Sequence, residues 1–314
     1  MRGTLLYIGQ RLVLIAVTTV LVSSIVFLLL HQIPGNAFLN ETRQTPQALA
    51  AELHRYGLDL PLQSQYVNWV QGVLHGNLGE SLVNRQVKIT PLLVRETSVS
   101  ATVGFFALLV TVGLGLLLGV VAALRQNTWI DYLASSTAVV GYSIPSFVIA
   151  IFGLLVFGHY LYLWTQGTFY YVPGWGKLEQ IPVPALALGL PYASYVARLT
   201  RASMLETIRT DYVRTAWAKG LKARVVVVRH ALRNALIPVV TVAGAQLGYI
   251  VGGIVVVEDV FTLPGVGRLL LDAIFQRDYP VVQGVILLLA AAFMVLNLVV
   301  DLLYAVLDPR LRRG

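Results

Sequence analysis

The sequence predicts an all-α integral membrane protein with six transmembrane helices. Hydrophobic residues make up 57% of the 314 residues and charged residues only 12%, far below the roughly 25% of soluble domains. Mean hydropathy is +0.73. A spanning helix needs roughly 20 apolar residues. Six segments meet this requirement, namely residues 12–30, 99–124, 133–163, 182–199, 235–257 and 281–307.

Three of the six segments have features of their own. The first has 19 residues and no small-x-small cleavage site after it, so we interpret it as a retained span rather than a signal peptide, whose apolar core has roughly 7–15 residues. Pro145 in the third segment removes a helical hydrogen bond, so this span should kink or break there. The fourth segment is interrupted by Pro182, Pro184 and Pro191, which makes it the least regular of the six.

The distribution of positive charge predicts that both termini are cytoplasmic. With this orientation, fifteen of the twenty-three Lys and Arg lie on the cytoplasmic side, and the short outer loops hold only Lys177, Arg268 and Arg277. The net charge of +8 is therefore explained by topology and anionic lipid. Nucleic acid is not indicated, because no aromatic ladder accompanies the basic residues.

Several kinds of chemistry are not indicated by the sequence. There is no Cys, and the five His show no metal-ligand spacing, so no metal site is expected. There is no Walker A sequence, so the chain should not bind ATP itself. No nucleophile-and-base arrangement stands out, and we expect a non-catalytic protein without a cofactor of its own.

The chain divides into three predicted parts. Residues 1–30 form the N-terminal tail and first span, residues 31–98 an extracytoplasmic segment, and residues 99–314 a core of five spans. The outer segment should contain two short amphipathic helices. The first begins after the N-cap Thr45 at Pro46 and ends before Gly57, and the second ends at Gly76. The stretch "TPLLVRE" should form a helical elbow before the second span.

A basic loop at 203–234 has the pattern of two helices joined by a glycine. Ser203 and Glu206 have capping-box spacing, which predicts a helix over 206–219 that ends at a left-handed Gly220. A second helix, from 221, should lie along the membrane surface and turn into the fifth span near Pro238. Its apolar stripe would consist of Leu221, Val225, Val228, Leu232 and Leu236. This shape suits insertion into a partner's groove, and the alternative is a loop that simply rests on anionic lipid.

Glycines at four-residue spacing predict close helix packing in two spans. They are Gly115 and Gly119 in the second span and Gly244, Gly248 and Gly252 in the fifth. Small residues at this spacing allow helix backbones to approach closely in lipid. The fifth span would then face a subunit or a pore, or else pack within the chain. Gln246 in the same span would line a translocation path or form a helix–helix hydrogen bond.

Carboxylates near the ends of the last two spans have two interpretations each. Glu258, Asp259, Asp272 and Asp278 would meet an external protein or, as we favour, keep their loop outside. Asp301 in the sixth span is predicted to reach the cytoplasmic interface or to pair with Arg198 or Arg201, and the alternative is a role in transport.

The basic loop resembles the cytoplasmic signature, called the EAA loop, of permeases of ATP-binding-cassette (ABC) importers. The similarity lies in "LETIRTDYVRTAWAKGL" and "RHALRNALIPVVT". The dipeptide/oligopeptide/nickel subfamily is further indicated by "YGLDLPLQSQYVNWVQGVLHGNLGESL", "YSIPSF", "VEDVFTLPGVGRLLLDAIFQRDYPVVQG" and "LDPRLR", in the family's order and over nearly the whole chain. The N-terminal span and long first loop are similar to the first of the two permease partners, the B-type subunit.

The resemblance implies a type I ABC importer permease fold and a set of partners. These would be a second homologous permease, two cytoplasmic ATPases that bind ATP and Mg, an extracytoplasmic binding protein and membrane lipid, with no nucleic acid. The substrate would be di- or oligopeptides, or alternatively nickel chelates, glutathione or haem. A stand-alone secondary transporter is a more remote alternative, because no internal repeat is evident. The location would be the bacterial inner membrane.

The resemblance also assigns residues of the basic loop to ATPase coupling. Thr215, Ala216 and Ala218 lie where the general motif has Glu-Ala-Ala, and Gly220 and Pro238 match its glycine and terminal proline. The coupling residues within the 209–222 loop would then be Asp211, Arg214, Thr215, Ala216, Ala218, Lys219 and Gly220. Helix packing or the pathway would involve Gly244, Gln246, Gly248, Gly252 and Pro145.

Overall fold

The computed structural model describes residues 2–32 and 46–307, and within them all regular structure is helical apart from one isolated bridge between Glu80 and Lys88. The α-helices are α1 Arg2–Gln32, α2 Pro46–Arg55, α3 Leu62–Leu74, α4 Ile89–Leu124, α5 Trp129–Ser143, α6 Ser146–Gly153, α7 Leu161–Trp164, α8 Pro182–Ile208, α9 Asp211–Ala218, α10 Ala223–Val225, α11 Arg233–Val260, α12 Val266–Phe275 and α13 Tyr279–Leu307. The prediction of an all-α fold is confirmed. The predicted N-cap Thr45 and the tail from residue 308 lie outside the described residues.

Five helical stretches of the described residues are long and apolar enough to cross a membrane. They are Gly9–Gln32, Ile89–Leu124, Ser146–Trp164, Ala223–Val260 and Tyr279–Asp301. They correspond to the first, second, third, fifth and sixth predicted spans. The structure thus supports the multi-pass arrangement from helix length and composition.

The fourth predicted span forms α8, which differs from the other five in composition. Its 27 residues extend for about 40 Å at 1.5 Å per residue, so it is long enough to span. It is rich in Ala, Pro and polar residues, and it has more buried positions than any other described helix. A helix enclosed by other helices does not need a lipid-soluble surface, which explains why α8 falls outside the apolar set.

The third predicted span breaks at its proline, as predicted. Ile144 and Pro145 are extended, with ψ of 123° and 144°, and separate α5 from α6. Only the part after the break belongs to the apolar stretch Ser146–Trp164. Within that part, residues Leu154–Tyr160 are π-helical.

The chain forms two compact units, and the first consists of residues 1–99 and 264–294. The hydrophobic core of this unit consists of Leu30, Ile89, Leu93, Val266, Ala273, Val281, Val282 and Val285. The carboxylate of Asp278, only 3% exposed, accepts hydrogen bonds from the Ser81 hydroxyl and from the Leu82 N–H, the latter at 3.1 Å. These bonds fix the loop before α4 to the loop before α13.

The segment predicted to lie outside the membrane follows the prediction except at its end. Pro46 opens α2, and the left-handed Gly57 and Gly76, with φ of +67° and +74°, follow α2 and α3. The predicted elbow at "TPLLVRE" is wrong, because α4 runs without interruption from Ile89 to Leu124. Thr-Pro at the first turn starts a helix without bending it, since the missing proline N–H has no helical acceptor there.

The second unit consists of residues 100–263 and 295–314, and in it α8 packs against α4, α5, α6 and α11. A Cβ added to Gly119 would lie 2.5 Å from Thr200 Cβ, and one added to Gly115 would lie 2.6 Å from Val196 Cγ1. A Cβ on Gly141 of α5 would lie 2.2 Å from the Ser194 hydroxyl. The second-span glycines therefore serve close packing inside the chain.

Candidate functional site

The predicted coupling element is a separate short helix, α9, which differs in its boundaries from the prediction. The helix predicted over 206–219 is wrong, because α8 continues through Glu206 to Ile208 and the chain turns at Thr210, whose ψ is 152°. Ser203 is not a cap. It is buried within α8, and its hydroxyl donates to the Ala235 carbonyl at 2.9 Å. Ser203 therefore does not form a capping box with Glu206, and its hydroxyl instead makes a contact between α8 and α11.

One face of α9 is anchored on the segment that follows it. Val213 and Ala216, 0% and 5% exposed, pack against Val226, which is 1% exposed. Asn234 donates its side-chain amide to the Tyr212 hydroxyl at 2.7 Å. The helix has only eight residues, too few for stability in isolation. Its position therefore depends on these contacts.

The other face of α9 is exposed, and most of the predicted coupling residues lie on it. Asp211 and Arg214 form an exposed pair with their charged atoms 3.7 Å apart. The exposed residues of the predicted set are Asp211, Arg214, Thr215, Ala218, Lys219 and Gly220. Ala216 differs, since it is buried against Val226 and packs on the anchored face of the helix. Trp217, 47% exposed, was not in the predicted set and adds a large apolar group to this face.

Gly220 ends the element in the left-handed conformation, as predicted. Its φ is +73°, and no atom lies within 4 Å of the position that a Cβ would take. Its N–H donates to the Trp217 carbonyl at 2.9 Å, and the Lys219 N–H donates to the Thr215 carbonyl at 3.0 Å. The glycine is required here by backbone conformation and not by lack of space.

The segment after Gly220 differs from the predicted surface helix. Helical structure is continuous over Ala223–Val260, and Pro238 lies inside α11, so no turn into the fifth span occurs there. Leu221 lies before the helical stretch, which begins at Ala223, so the predicted stripe does not start where expected. Val225 and Val228 are exposed, whereas Val226 and Ala231 are buried. Residues Val226–Leu232 are π-helical. A π turn places residues five apart on one face, which the assumed period of 3.6 cannot anticipate.

The predicted pathway residues do not share one environment. A Cβ on Gly244 would lie 2.2 Å from Val300 Cγ1 of α13, whereas Gly252 is exposed and has no neighbour within 4 Å. Gln246 is buried at 8% exposure, and Gly248 is half-buried. Pro145 is exposed at the break between α5 and α6. Gly244 thus packs within the chain, while Gly252 faces away from the described residues.

The four carboxylates of the predicted outer loop are divided between buried and exposed positions. Glu258 is fully buried and accepts a hydrogen bond from the Ser100 hydroxyl at 2.5 Å, and Asp278 is buried as described above. Asp259 is exposed, and Asp272 lies 3.9 Å from Arg268. Two of the four therefore stabilise the fold and are not available to an external protein.

A buried ion pair that the sequence did not reveal lies between α5 and α8. Arg201 donates to both carboxylate oxygens of Asp131, from Nε at 2.5 Å and from Nη2 at 2.7 Å, and Asp131 is 2% exposed. The Arg201 guanidinium holds the pKa of Asp131 down, at about 2. The prediction that Arg201 pairs with Asp301 is therefore wrong. The guanidinium carbon of Arg198 instead lies over the rings of Tyr142 and Tyr195, at 5.8 and 5.3 Å from their centroids.

The long apolar helices, the enclosed α8 and the exposed α9 define a multi-pass helical membrane protein with a projecting helix between its fourth and fifth predicted spans. Residues 115–313 match the family described as "Binding-protein-dependent transport system inner membrane component", and residues 4–88 match its N-terminal counterpart. The chain belongs to this family. It is a permease subunit of an ABC importer and a multi-pass protein of the inner membrane.

Three relatives are similar to the chain over almost its full length. The dipeptide transport system permease protein DppB of Bacillus subtilis is 38% identical over 98% of this chain and 97% of its own. The di/tripeptide transport system permease protein DppB of Pseudomonas aeruginosa is 39% identical over 98% of each chain. The glutathione transport system permease protein GsiC of Shigella flexneri is 38% identical, also over 98% of each.

A solved structure supports the fold. The chain is similar to one from an inward-facing form of the MetNI methionine ABC transporter, with a TM-score of 0.58 and 19% identity. The similarity covers 69% of this chain and 96% of that one. At this identity the similarity concerns the fold alone, and it confirms the predicted type I importer permease fold.

Proposed function

We propose that the chain forms half of the translocation pathway of an importer for di- or oligopeptides. The second half would come from a homologous permease, and an extracytoplasmic protein would deliver the substrate. The relatives whose names specify dipeptides or di- and tripeptides support this substrate class. Glutathione is itself a small peptide, and the glutathione permease relative makes it the principal alternative. Nickel chelates and haem stay more distant alternatives.

We propose that α9 is the element through which ATP hydrolysis acts on the pathway. The observation that carries this proposal is the geometry of α9, a helix anchored by Val213 and Ala216 whose opposite face is exposed between two long helical stretches. The turn between α8 and α9 comprises only Arg209 and Thr210, so displacement of α9 would act directly on α8. Two cytoplasmic ATPases would bind ATP and Mg, and this chain would contribute no catalytic residue.

This assignment also fixes the proposed orientation. With α9 in the cytoplasm, the predicted topology places both termini in the cytoplasm and residues 31–98 outside. The exposed basic residues Arg214 and Lys219 then lie on the side that the positive-inside rule favours.

Replacing Gly220 with proline tests the coupling role. Proline fixes φ near −65°, which cannot be reconciled with the observed +73°, so Gly220→Pro should displace α9 from the orientation set by its anchor. We expect the variant to insert normally and to lose co-purification of the ATPases. Gly176→Pro is the matched control, because Gly176 also has a positive φ, of +126°, and lies in a predicted outer loop. Full retention of the ATPases by Gly220→Pro would contradict the proposal.

A further inference from the structure

Unit 1 contains an open cavity of about 890 Å³ that none of the features above requires. Ligand-binding sites commonly have volumes of 300–1,000 Å³. Its walls come from the end of α1, the α2–α3 region, the loop before α4 and the first turn of α13. All of these segments belong to unit 1, so the cavity is a property of one compact body.

Two buried hydrogen-bond donors in the wall have no acceptor among the described residues. Gln283, on the first turns of α13, is only 5% exposed, and its side-chain nitrogen has no hydrogen-bond partner there. The indole nitrogen of Trp69 on α3 is also buried and also has no hydrogen-bond partner among the described residues. Buried polar groups in folded proteins are almost always satisfied. Both residues line the cavity, but the two nitrogens themselves are enclosed within its wall and do not face the open space.

Charged side chains of both signs line the same cavity. Arg55 and Lys88 are exposed, and neither forms an ion pair with any described residue. The Arg55 guanidinium lies over the ring of Tyr56, 5.6 Å from its centroid. Glu80 provides a carboxylate, and its backbone pairs with that of Lys88 in the isolated β-bridge. The rings of Phe27 and Trp69 add an apolar wall. The cavity therefore offers cationic groups, one anionic group and an aromatic surface.

We propose that this cavity binds a short peptide with free termini before it enters the pathway. The peptide carboxylate would lie between Arg55 and Lys88, its ammonium group near Glu80, and an apolar side chain against Phe27 and Trp69. A simple anion such as phosphate would leave Glu80 without a counter-charge and the rings uncovered. The inference rests on the proposed function and orientation, which place residues 31–98 outside the cell.

Direct binding to the membrane complex tests the site. The complex of both permeases and both ATPases is placed in nanodiscs without binding protein or nucleotide, and labelled Ala-Phe is titrated by equilibrium binding. We expect saturable binding of Ala-Phe. Its C-terminal amide and its N-acetyl form should each bind roughly tenfold more weakly, because each loses one charge-assisted contact. Equal binding of the three compounds, or no saturable binding, would overturn the proposal.

Exposed residues provide variants that should not disturb folding. Arg55→Gln and Lys88→Gln should each raise the Kd for Ala-Phe by roughly tenfold. Lys177→Gln is the control, since Lys177 is 73% exposed in another predicted outer loop and does not line the cavity. Unchanged affinity in both cavity variants would reject the site.

Transport measurements separate failure of this site from failure of the proposed function. Proteoliposomes with the complete transporter and its binding protein are assayed for uptake of Ala-Phe. Uptake by the wild type together with unchanged KM in Arg55→Gln and Lys88→Gln would reject the cavity and leave the peptide permease function intact. Absence of uptake of any peptide by the wild type would reject the function. A raised KM with unchanged ATPase co-purification supports the cavity site.

Discussion

Arg201 of α8 binds Asp131 of α5 through both carboxylate oxygens, at 2.5 and 2.7 Å, in a site where the carboxylate is 2% exposed. Asp131 also accepts the Asn127 N–H at 3.0 Å, so the same carboxylate fixes the loop that leads into α5. A two-point contact of this kind sets relative orientation as well as distance. It holds the start of α5 against α8 three turns before α9.

Neutralising Asp131 should destabilise the protein strongly. In Asp131→Asn the Arg201 charge stays partly buried without its counter-ion, and removal of one partner of a buried pair costs about 3 kcal/mol. The control is the double variant Asp131→Leu/Arg201→Met, which removes both charges and should lose much less. Thermal unfolding in detergent measures both. Equal stability of the single variant and wild type would contradict the role of the pair.

The same pair predicts a loss of stability in acid. The pKa of Asp131 is lowered from 3.8 to about 2, so its contribution to the free energy of unfolding is fully present above about pH 4 and declines as the pH falls towards 2. Unfolding free energies measured in detergent between pH 5 and 2 should show this decline. The Asp131→Leu/Arg201→Met variant should show a smaller one over the same interval. Parallel curves would exclude Asp131 as the titrating group.

A side chain at Gly119 should be poorly tolerated. Its Cβ would lie 2.5 Å from Thr200 Cβ and 2.6 Å from the Ala197 carbonyl oxygen, so Gly119→Val must push α4 away from α8. Overpacking of this kind costs about 3 kcal/mol. Gly113→Val on the same helix is the control, because no atom lies within 4 Å of a Cβ there. Thermal unfolding should separate the two variants, and similar midpoints would refute the close approach.

The glycines of α11 should respond differently according to position. Gly244→Leu should lower the unfolding midpoint, since Val300 occupies the space of the added side chain. Gly252→Leu should leave the midpoint of the isolated chain unchanged, because no described atom lies within 4 Å of the position that a Cβ of Gly252 would take. If the face around Gly252 contacts the second permease, this variant should instead reduce co-purification of that subunit. Size-exclusion chromatography of the complex provides that second measurement.

Local backbone signals were predictable from the sequence, whereas contacts between distant residues were not. Gly220, Gly57 and Pro145 determine conformation through their own φ restrictions or freedom, and all three lie as predicted. The ion pair between Asp131 and Arg201 joins residues 70 apart, and no periodicity connects them.

The errors around α9 have the same origin. Ser203 was interpreted as a cap because its nearest sequence neighbours fit one, but its partner is the Ala235 carbonyl, 32 residues away. The helix predicted from Leu221 begins only at Ala223, and its assumed period of 3.6 does not hold through the π-helical residues Val226–Leu232. Both features depend on how α8 and α11 pack, which a single sequence does not specify.

The composition of α8 has a consequence for how the protein is made. A segment of low hydropathy gains little free energy by entering the bilayer alone. Three of the helices that enclose α8, namely α4, α5 and α6, precede it in the chain and are already synthesised when α8 emerges from the ribosome, whereas α11 follows it. Initial insertion of α8 therefore depends on helices made before it, and its full enclosure is completed only when α11 is made. Truncation after α8 should leave a chain that inserts, whereas α8 fused alone to a reporter should not.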